Sequence, residues 1–207
     1  LGEIGGVVQE FIESKEVLID NKLCPLKSIR ELTGHRIMPY IIHGNKTIPN
    51  FSCLYPERMK QGEIYALETY PSTGTGKTEY DMECSHYSIN TELLIKEFRE
   101  VQGIDGNGNL TDYAKKHGEG KIERPIRLDT RENYLWKKII DMRQTLPFCK
   151  RWLKEENIDK YQIPLMNLVK KSRLLVYPPL KDKNGSYVGQ FEHTFLVTEK
   201  GKVDILT

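Results

Sequence analysis

The stretch EIYALETYPSTGTG, Glu63–Gly76, decides how the rest of the chain is read. Its first half alternates with a period of two, Tyr65, Leu67 and Thr69 against Ile64, Ala66 and Glu68, which is the pattern of a β-strand. Its second half is a run of Ser, Thr and Gly of the kind a turn requires. Within the strand Glu68 shares a face with Ile64 and Ala66, so its carboxylate is directed inward among apolar side chains. A buried carboxylate without a partner is costly, and a cation would offset that cost.

The glycine-rich half invites a phosphate-loop reading through STGTGKT at 72–78. That motif needs a glycine where Pro71 stands, and the EYDMECSHY that follows reads as strand. No helix N-terminus therefore faces a phosphate, and a glycine-rich turn is the better reading. A second motif fails in the same way. DGNGNLTDYAKK at 105–116 opens like a calcium loop, but Leu110 stands where the sharp turn needs glycine and Lys116 where a bidentate glutamate belongs. Cys84 and His86 share a strand face, but no acid is placed to orient them as a nucleophilic pair.

Outward from Glu63–Gly76 the chain alternates between strand and helix patterns. Upstream, GGVVQEFIES at 5–14 is helical in period, and EVLID and LCPLKSI flank Asp20-Asn21 as a hairpin. A strand-like run at Ile37–His43 is interrupted by Pro39, which predicts an edge or a bulge. Downstream, 81–89 reads as a strand and 91–101 as a helix, and 102–121, rich in Gly, Asn and Lys, reads as a surface loop. Three helical patterns follow over 131–171, marked by Leu135, Ile139 and Ile140, by Phe148 and Trp152, and by Leu165, Leu168 and Val169. The end returns to strands: RLLVYPPL, a hairpin signal at Asn184-Gly185, SYVGQFEHTFLV and KVDIL. Strands, an inserted helical block at about 122–173 and strands again predict an α+β domain over 1–207.

Composition narrows the function. The chain has 207 residues, with 31 Lys and Arg against 29 Asp and Glu for a net charge of +2. That near-balance argues against nucleic-acid binding as the main activity, and no direct DNA binding is expected. No apolar run approaches membrane-spanning length. Cys24, Cys53, Cys84 and Cys149 form no CxxC pair, which points to free thiols in a reducing, cytoplasmic setting.

Two further residues join Glu68 as metal candidates: His35 in GHRIMPYIIHG and Glu192 in GQFEHTFL. Glu192 shares a strand face with Gln190 and Thr194. By themselves a lone histidine or glutamate in a strand-rich domain is more often structural or solvated than a ligand.

The phrases IRELTGHRI, IHGNKTIP, RMKQGEIYALET, STGTG, DMECSHY, FCKRWL, YPPL and GSYVGQFEHT change that balance. Together they resemble the C-terminal half of a type 2 methionine aminopeptidase, along nearly the whole chain. The resemblance implies a pita-bread fold with the helical insertion typical of type 2 enzymes. It also implies two divalent metal ions (Mn, Co, Fe or Zn) per complete site. His35 and Glu68 would bind one ion, and Glu192 would bridge both. A metal-bridged hydroxide would attack the carbonyl after the initiator methionine of nascent proteins, with Glu68 relaying a proton and His43 contacting the substrate near the scissile bond. Ile42, His43, His86, Tyr177 and Leu180 match the family's methionine-binding positions, with soft, apolar walls suited to an unbranched thioether. Pro147 departs from the small residue usual in the family and leaves the pocket size open.

The resemblance places two aspartate ligands and a further catalytic histidine upstream of Leu1, so this chain alone is expected to be inactive. The expected partners are the N-terminal methionine of nascent peptides and the ribosome, with no membrane, and the full-length protein is expected to be a monomer. The alternative function is a non-catalytic pita-bread protein that binds ribosomes. Retention of His35, Glu68 and Glu192 argues against it.

Overall fold

The computed structural model describes residues 1–117 and 126–207. Two compact units divide the chain: Leu1–Glu83 with Pro178–Thr207, and Cys84–Tyr177. The first unit opens with α1 (Gly2–Glu13) and the hairpin β1 (Glu16–Ile19) and β2 (Lys22–Pro25). It continues with β3 (Lys27–Ser28), β4 (Gly34–Ile37), β5 (Thr47–Ile48), β6 (Ile64–Thr69), β7 (Pro71–Ser72) and β8 (Glu79–Tyr80). The second unit holds β9 (His86–Ile89), α2 (Thr91–Gln102), α3 (Asp112–His117) and α4 (Thr130–Arg143). It ends with β10 (Phe148–Cys149), α5 (Lys150–Glu155), α6 (Gln162–Lys170) and β11 (Leu174–Tyr177). The chain then returns to the first unit for β12 (Leu180–Lys181), β13 (Phe191–Val197) and β14 (Val203–Ile205).

The expected strand around Glu68 is the middle of the first unit. An antiparallel sheet runs β14-β13-β6-β4-β5. Strand β6 pairs with β13 from Thr69↔Phe191 to Ile64↔Leu196, and with β4 from Ala66↔His35 to Ile64↔Ile37. Tyr65 and Ala66 are both fully buried, so at this point both faces of the sheet are covered. Tyr65 stacks on Phe195 at 5.8 Å, and with Ile48 and Val197 they form the local core. Each such side chain contributes about 1.5–3 kcal/mol by leaving water.

Turn chemistry explains which local expectations hold. Asp20 and Asn21 both take positive φ, 47° and 60°, as a two-residue hairpin turn demands, and β1 pairs with β2. The strand expected over Ile37–His43 instead ends at Ile37. Met38 and Ile41 bridge across Pro39 and Tyr40, and Tyr40 has φ 61°. Proline cannot donate to a ladder, so the chain turns there and leaves His35 in the strand and His43 beyond it. At Asn184-Gly185 a turn forms, with the Ser186 N–H donating to the Lys183 carbonyl. It does not close a hairpin between neighbours, because β12 pairs with β8.

In the second unit β9 lies between β10 and β11. Leu135, Ile139, Phe148, Leu153, Leu168 and Leu174 are buried together. Asp129 and Glu132 close a reciprocal capping box at the start of α4. Helix α2 begins at Asn90, whose side chain accepts from the Leu93 N–H, and stops at Gly103 with φ 67°. Phe148, expected in a helical pattern, is instead in strand β10, where it pairs with Tyr87 of β9. Of 81–89, only His86–Ile89 is strand. Where a surface loop is expected over 102–121, Ile104 and Leu110 form a bridge and Asp112–His117 form α3. The rest of that loop, and the start of the helical block expected from 122, lie outside the described residues.

Candidate metal centre

His35 and Glu68 meet because β4 and β6 lie unusually close beside Gly34. A Cβ on Gly34 would stand 2.5 Å from the Ala66 carbonyl oxygen and 3.1 Å from the Glu68 nitrogen, so only glycine permits this approach. The next residue, His35, is 6% exposed and places Nε2 3.0 Å from Glu68 Oε1. Its Nδ1 lies 3.4 Å from the Arg36 carbonyl oxygen. The other Glu68 oxygen accepts a hydrogen bond from the Tyr70 phenol. The His43 ring meets the His35 ring edge to face, with centroids 4.4 Å apart. On the neighbouring strand, Glu192 stands directly opposite Glu68 in register and is exposed.

The electrostatics follow from this packing. Burial works against a charged His35. The hydrogen bond and charge of Glu68, with the Arg36 carbonyl and the Glu192 charge, outweigh it and raise the ring above the usual histidine range. Burial likewise favours a neutral Glu68, but hydrogen bonds from His35 and Tyr70 and the charges of His35 and His43 hold the carboxyl below its ordinary value. His43 moves the other way, pushed down by burial and by the neighbouring His35. The three shifts run in complementary directions: His35 holds its proton more tightly, Glu68 gives its proton up more easily, and His43, packed on the edge of His35, holds its proton less tightly.

Among the described residues no three His, Cys, Asp or Glu side chains converge closely enough to hold an ion. Of the three expected ligands, the structure puts His35 and Glu68 in contact and sets Glu192 across the strand pair from Glu68. The contacting pair fits a divalent ion in donor type. It supplies one imidazole nitrogen and one carboxylate oxygen, with the ring steadied from behind by a backbone carbonyl.

The expected substrate-binding residues fall in both units. In the first, Ile42 is half-buried next to His43, and Leu180 is in β12 opposite Tyr80. In the second, His86 stands opposite Tyr177 across β9 and β11. The His86 Nδ1 is 2.8 Å from the Ser85 hydroxyl, and the Tyr177 phenol is 3.0 Å from the Ser88 hydroxyl. The Cys84 thiol donates to the carbonyls of His86 and Tyr177, an arrangement that serves the backbone and does not build a nucleophile.

Sequence reasoning missed Tyr70, although it stands two residues after Glu68 and strand alternation assigns it the same side. It also missed Asp182. The turn STGTG wraps around that carboxylate, which accepts from the Ser72 and Thr75 hydroxyls and from the N–H groups of Thr75, Gly76 and Lys183. The glycine-rich loop thus does cradle an anion, and the anion is internal. A buried ion pair also escaped notice: the Lys46 ammonium lies 2.7 Å from Glu63, which also accepts from the Tyr65 phenol.

No family model matches the chain. Known proteins do. Over 198 residues it is 41% identical to methionine aminopeptidase 2-1 of Fusarium vanettenii, covering 95% of this chain and 38% of that protein. It is 41% identical over 197 residues to methionine aminopeptidase 2 of Schizosaccharomyces pombe, covering 95% and 39%. The Dictyostelium discoideum methionine aminopeptidase 2 is 37% identical over 202 residues, covering 98% and 39%. The chain therefore spans about two fifths of the length of these relatives. Among solved structures, a thermophilic Arx1 superposes with a TM-score of 0.61 at 14% identity, over 87% of this chain and 40% of that one. That likeness shows the fold, and the α+β pita-bread architecture expected from the sequence is the one found.

Proposed function

Because nearly the whole chain is homologous to type 2 methionine aminopeptidases, we propose that it contributes one side of a metal centre that removes the initiator methionine from nascent proteins. The observation that carries this reading is the buried His35–Glu68 contact at 3.0 Å, with Glu192 in register beside it. His35, Glu68 and Glu192 are the proposed ligands of two divalent ions, within a set that needs further donors. When bound, such ions supply Lewis acidity and a water acidic enough to act as a nucleophile at neutral pH.

The chain's own groups do the rest. His35 presents Nε2 with its ring orientation set by the Arg36 carbonyl. Glu68 would take a proton from the attacking water on a carboxylate oxygen and return it to the amine nitrogen as the bond between that nitrogen and the carbonyl carbon breaks. His43, held neutral by burial and by His35, hydrogen-bonds the substrate beside the scissile bond. Ile42, His43 and Leu180 in the first unit, and His86 and Tyr177 in the second, are the candidates for recognising the methionine side chain. By itself this chain is not expected to release methionine. A cytoplasmic setting belongs to the same proposal, and among the described residues no helix is long and apolar enough to cross a membrane.

The test is release of methionine from a Met-Ala-Ser peptide by the polypeptide that carries this chain, with added Mn²⁺ or Co²⁺. Metal-dependent release that Glu192→Ala abolishes supports the reading. A folded, metal-loaded protein that releases nothing overturns it.

A further inference from the structure

We propose that Tyr70 is a positioning residue of the centre, its phenol holding one oxygen of Glu68 so that the other is presented beside His35. This rests on the metal reading given under Proposed function. Three observations carry it. The two oxygens of Glu68 have different partners, His35 Nε2 on Oε1 and the Tyr70 hydroxyl on Oε2. A carboxylate held on both sides cannot rotate without breaking a hydrogen bond, so its orientation is set before any ion arrives.

Tyr70 is itself held firmly. Its carbonyl accepts from the Ile29 N–H at 3.0 Å, and Ile29 is 2% exposed. The next residue, Pro71, has a restricted φ and pairs with Ser28 in β3. The phenol is thus delivered from backbone anchored on a second strand, independently of the His35 side. Finally, the arrangement is chemically specific. Phenylalanine at this position would fill the same space and leave Glu68 Oε2 without that donor, so the hydroxyl alone makes the difference.

The experiment is titration of the polypeptide that carries this chain with Mn²⁺ alone, followed by isothermal calorimetry, for the unmodified protein, Tyr70→Phe and, as control, Tyr134→Phe at an exposed position of the second unit. Loss of an outer partner of a ligand costs metal sites roughly ten-fold or more in affinity. The expected result is Mn²⁺ binding roughly ten-fold weaker in Tyr70→Phe and unchanged in Tyr134→Phe, with all three proteins fully folded at the temperature of the titration. A purely packing role for Tyr70 predicts equal Mn²⁺ affinity in Tyr70→Phe, and that result overturns this inference alone. An unmodified, folded protein that takes up no Mn²⁺ overturns the metal reading and this inference together.

Discussion

Two carboxylates of the first unit, Asp182 and Glu68, are both largely hidden from water and are held in opposite ways. Asp182 is 2% exposed and is surrounded by hydroxyls and backbone N–H groups of the 72–76 turn and Lys183. None of those donors titrates near neutral pH, and the charge is stabilised well below the usual aspartate range, against the opposing effect of burial. Glu68 is held by a histidine, whose ring can give up its proton, and by the Tyr70 phenol, which burial and the neighbouring Glu68 push well above the usual tyrosine range. A cation can replace the proton on His35, whereas nothing can replace the backbone around Asp182. A saturated carboxylate is a structural element; one held by exchangeable protons is a place where a ligand can enter.

The comparison can be tested by breaking each kind of carboxylate in turn. The largest effect is expected at Glu63, a third case that is saturated by a buried lysine. Burial opposes its ionisation, but hydrogen bonds from Lys46, Tyr65 and the Lys60 N–H draw the carboxyl down to about 2. A folded value below the unfolded one means that the stabilisation is complete above the unfolded value of 4.5 and lost as pH falls towards 2. Denaturant unfolding across that window should show a loss of about 3 kcal/mol attributable to this group. The loss should be flattened in Glu63→Gln, which is also destabilised at neutral pH because Lys46 keeps its buried charge. An unchanged acid limb in the variant would remove Glu63 from the saturated class.

A smaller effect is expected at Asp182. Asp182→Asn replaces an acceptor oxygen with a donor in front of N–H groups that need acceptors, and should cost about 2 kcal/mol at pH 7 with an unchanged denaturant slope. The site has no room to adapt, since a Cβ on Gly74 would already lie 2.4 Å from the Asp182 carboxyl carbon. The smallest stability effect is expected at Glu68 itself. Glu68→Gln should stay within about 1 kcal/mol of the unmodified protein in unfolding, because its partners are few and one of them can deprotonate. It should nevertheless lose Mn²⁺ uptake in calorimetry. A stability cost equal to that of Asp182→Asn, with uptake intact, would erase the distinction between the two carboxylates.

Much of the first unit is legible in its residues alone. Two-residue alternation places Glu68 on a strand, and Ile64–Thr69 is that strand. The dipeptide Asp20-Asn21 marks a hairpin that forms, because both residues tolerate left-handed backbone. The glycine-rich stretch at 72–78 is read as a turn and its 72–76 part folds as one around Asp182, yet that internal anion has no local signal: the residue that fills it is 110 positions further along the chain. Periodicity around Phe148 predicts a helix, but pairing with Tyr87 in β9 places this residue in a strand. There tertiary pairing overrides a short local pattern.

Local pattern and residue type suffice for most of the strand and helix segments, and the sequence phrases suffice for the family likeness and for nominating His35, Glu68 and Glu192 as metal candidates. Only the folded chain shows that His35 and Glu68 touch, that Glu192 is in register with Glu68, and that Tyr70 and Asp182 each hold or fill a part of this unit. The reason is physical. Local patterns report which face of an element is buried, because that depends on neighbours a few residues away. Which side chains meet across β4, β6 and β13 depends on strand order, register and the close approach at Gly34, and those are set by packing between segments far apart in the chain.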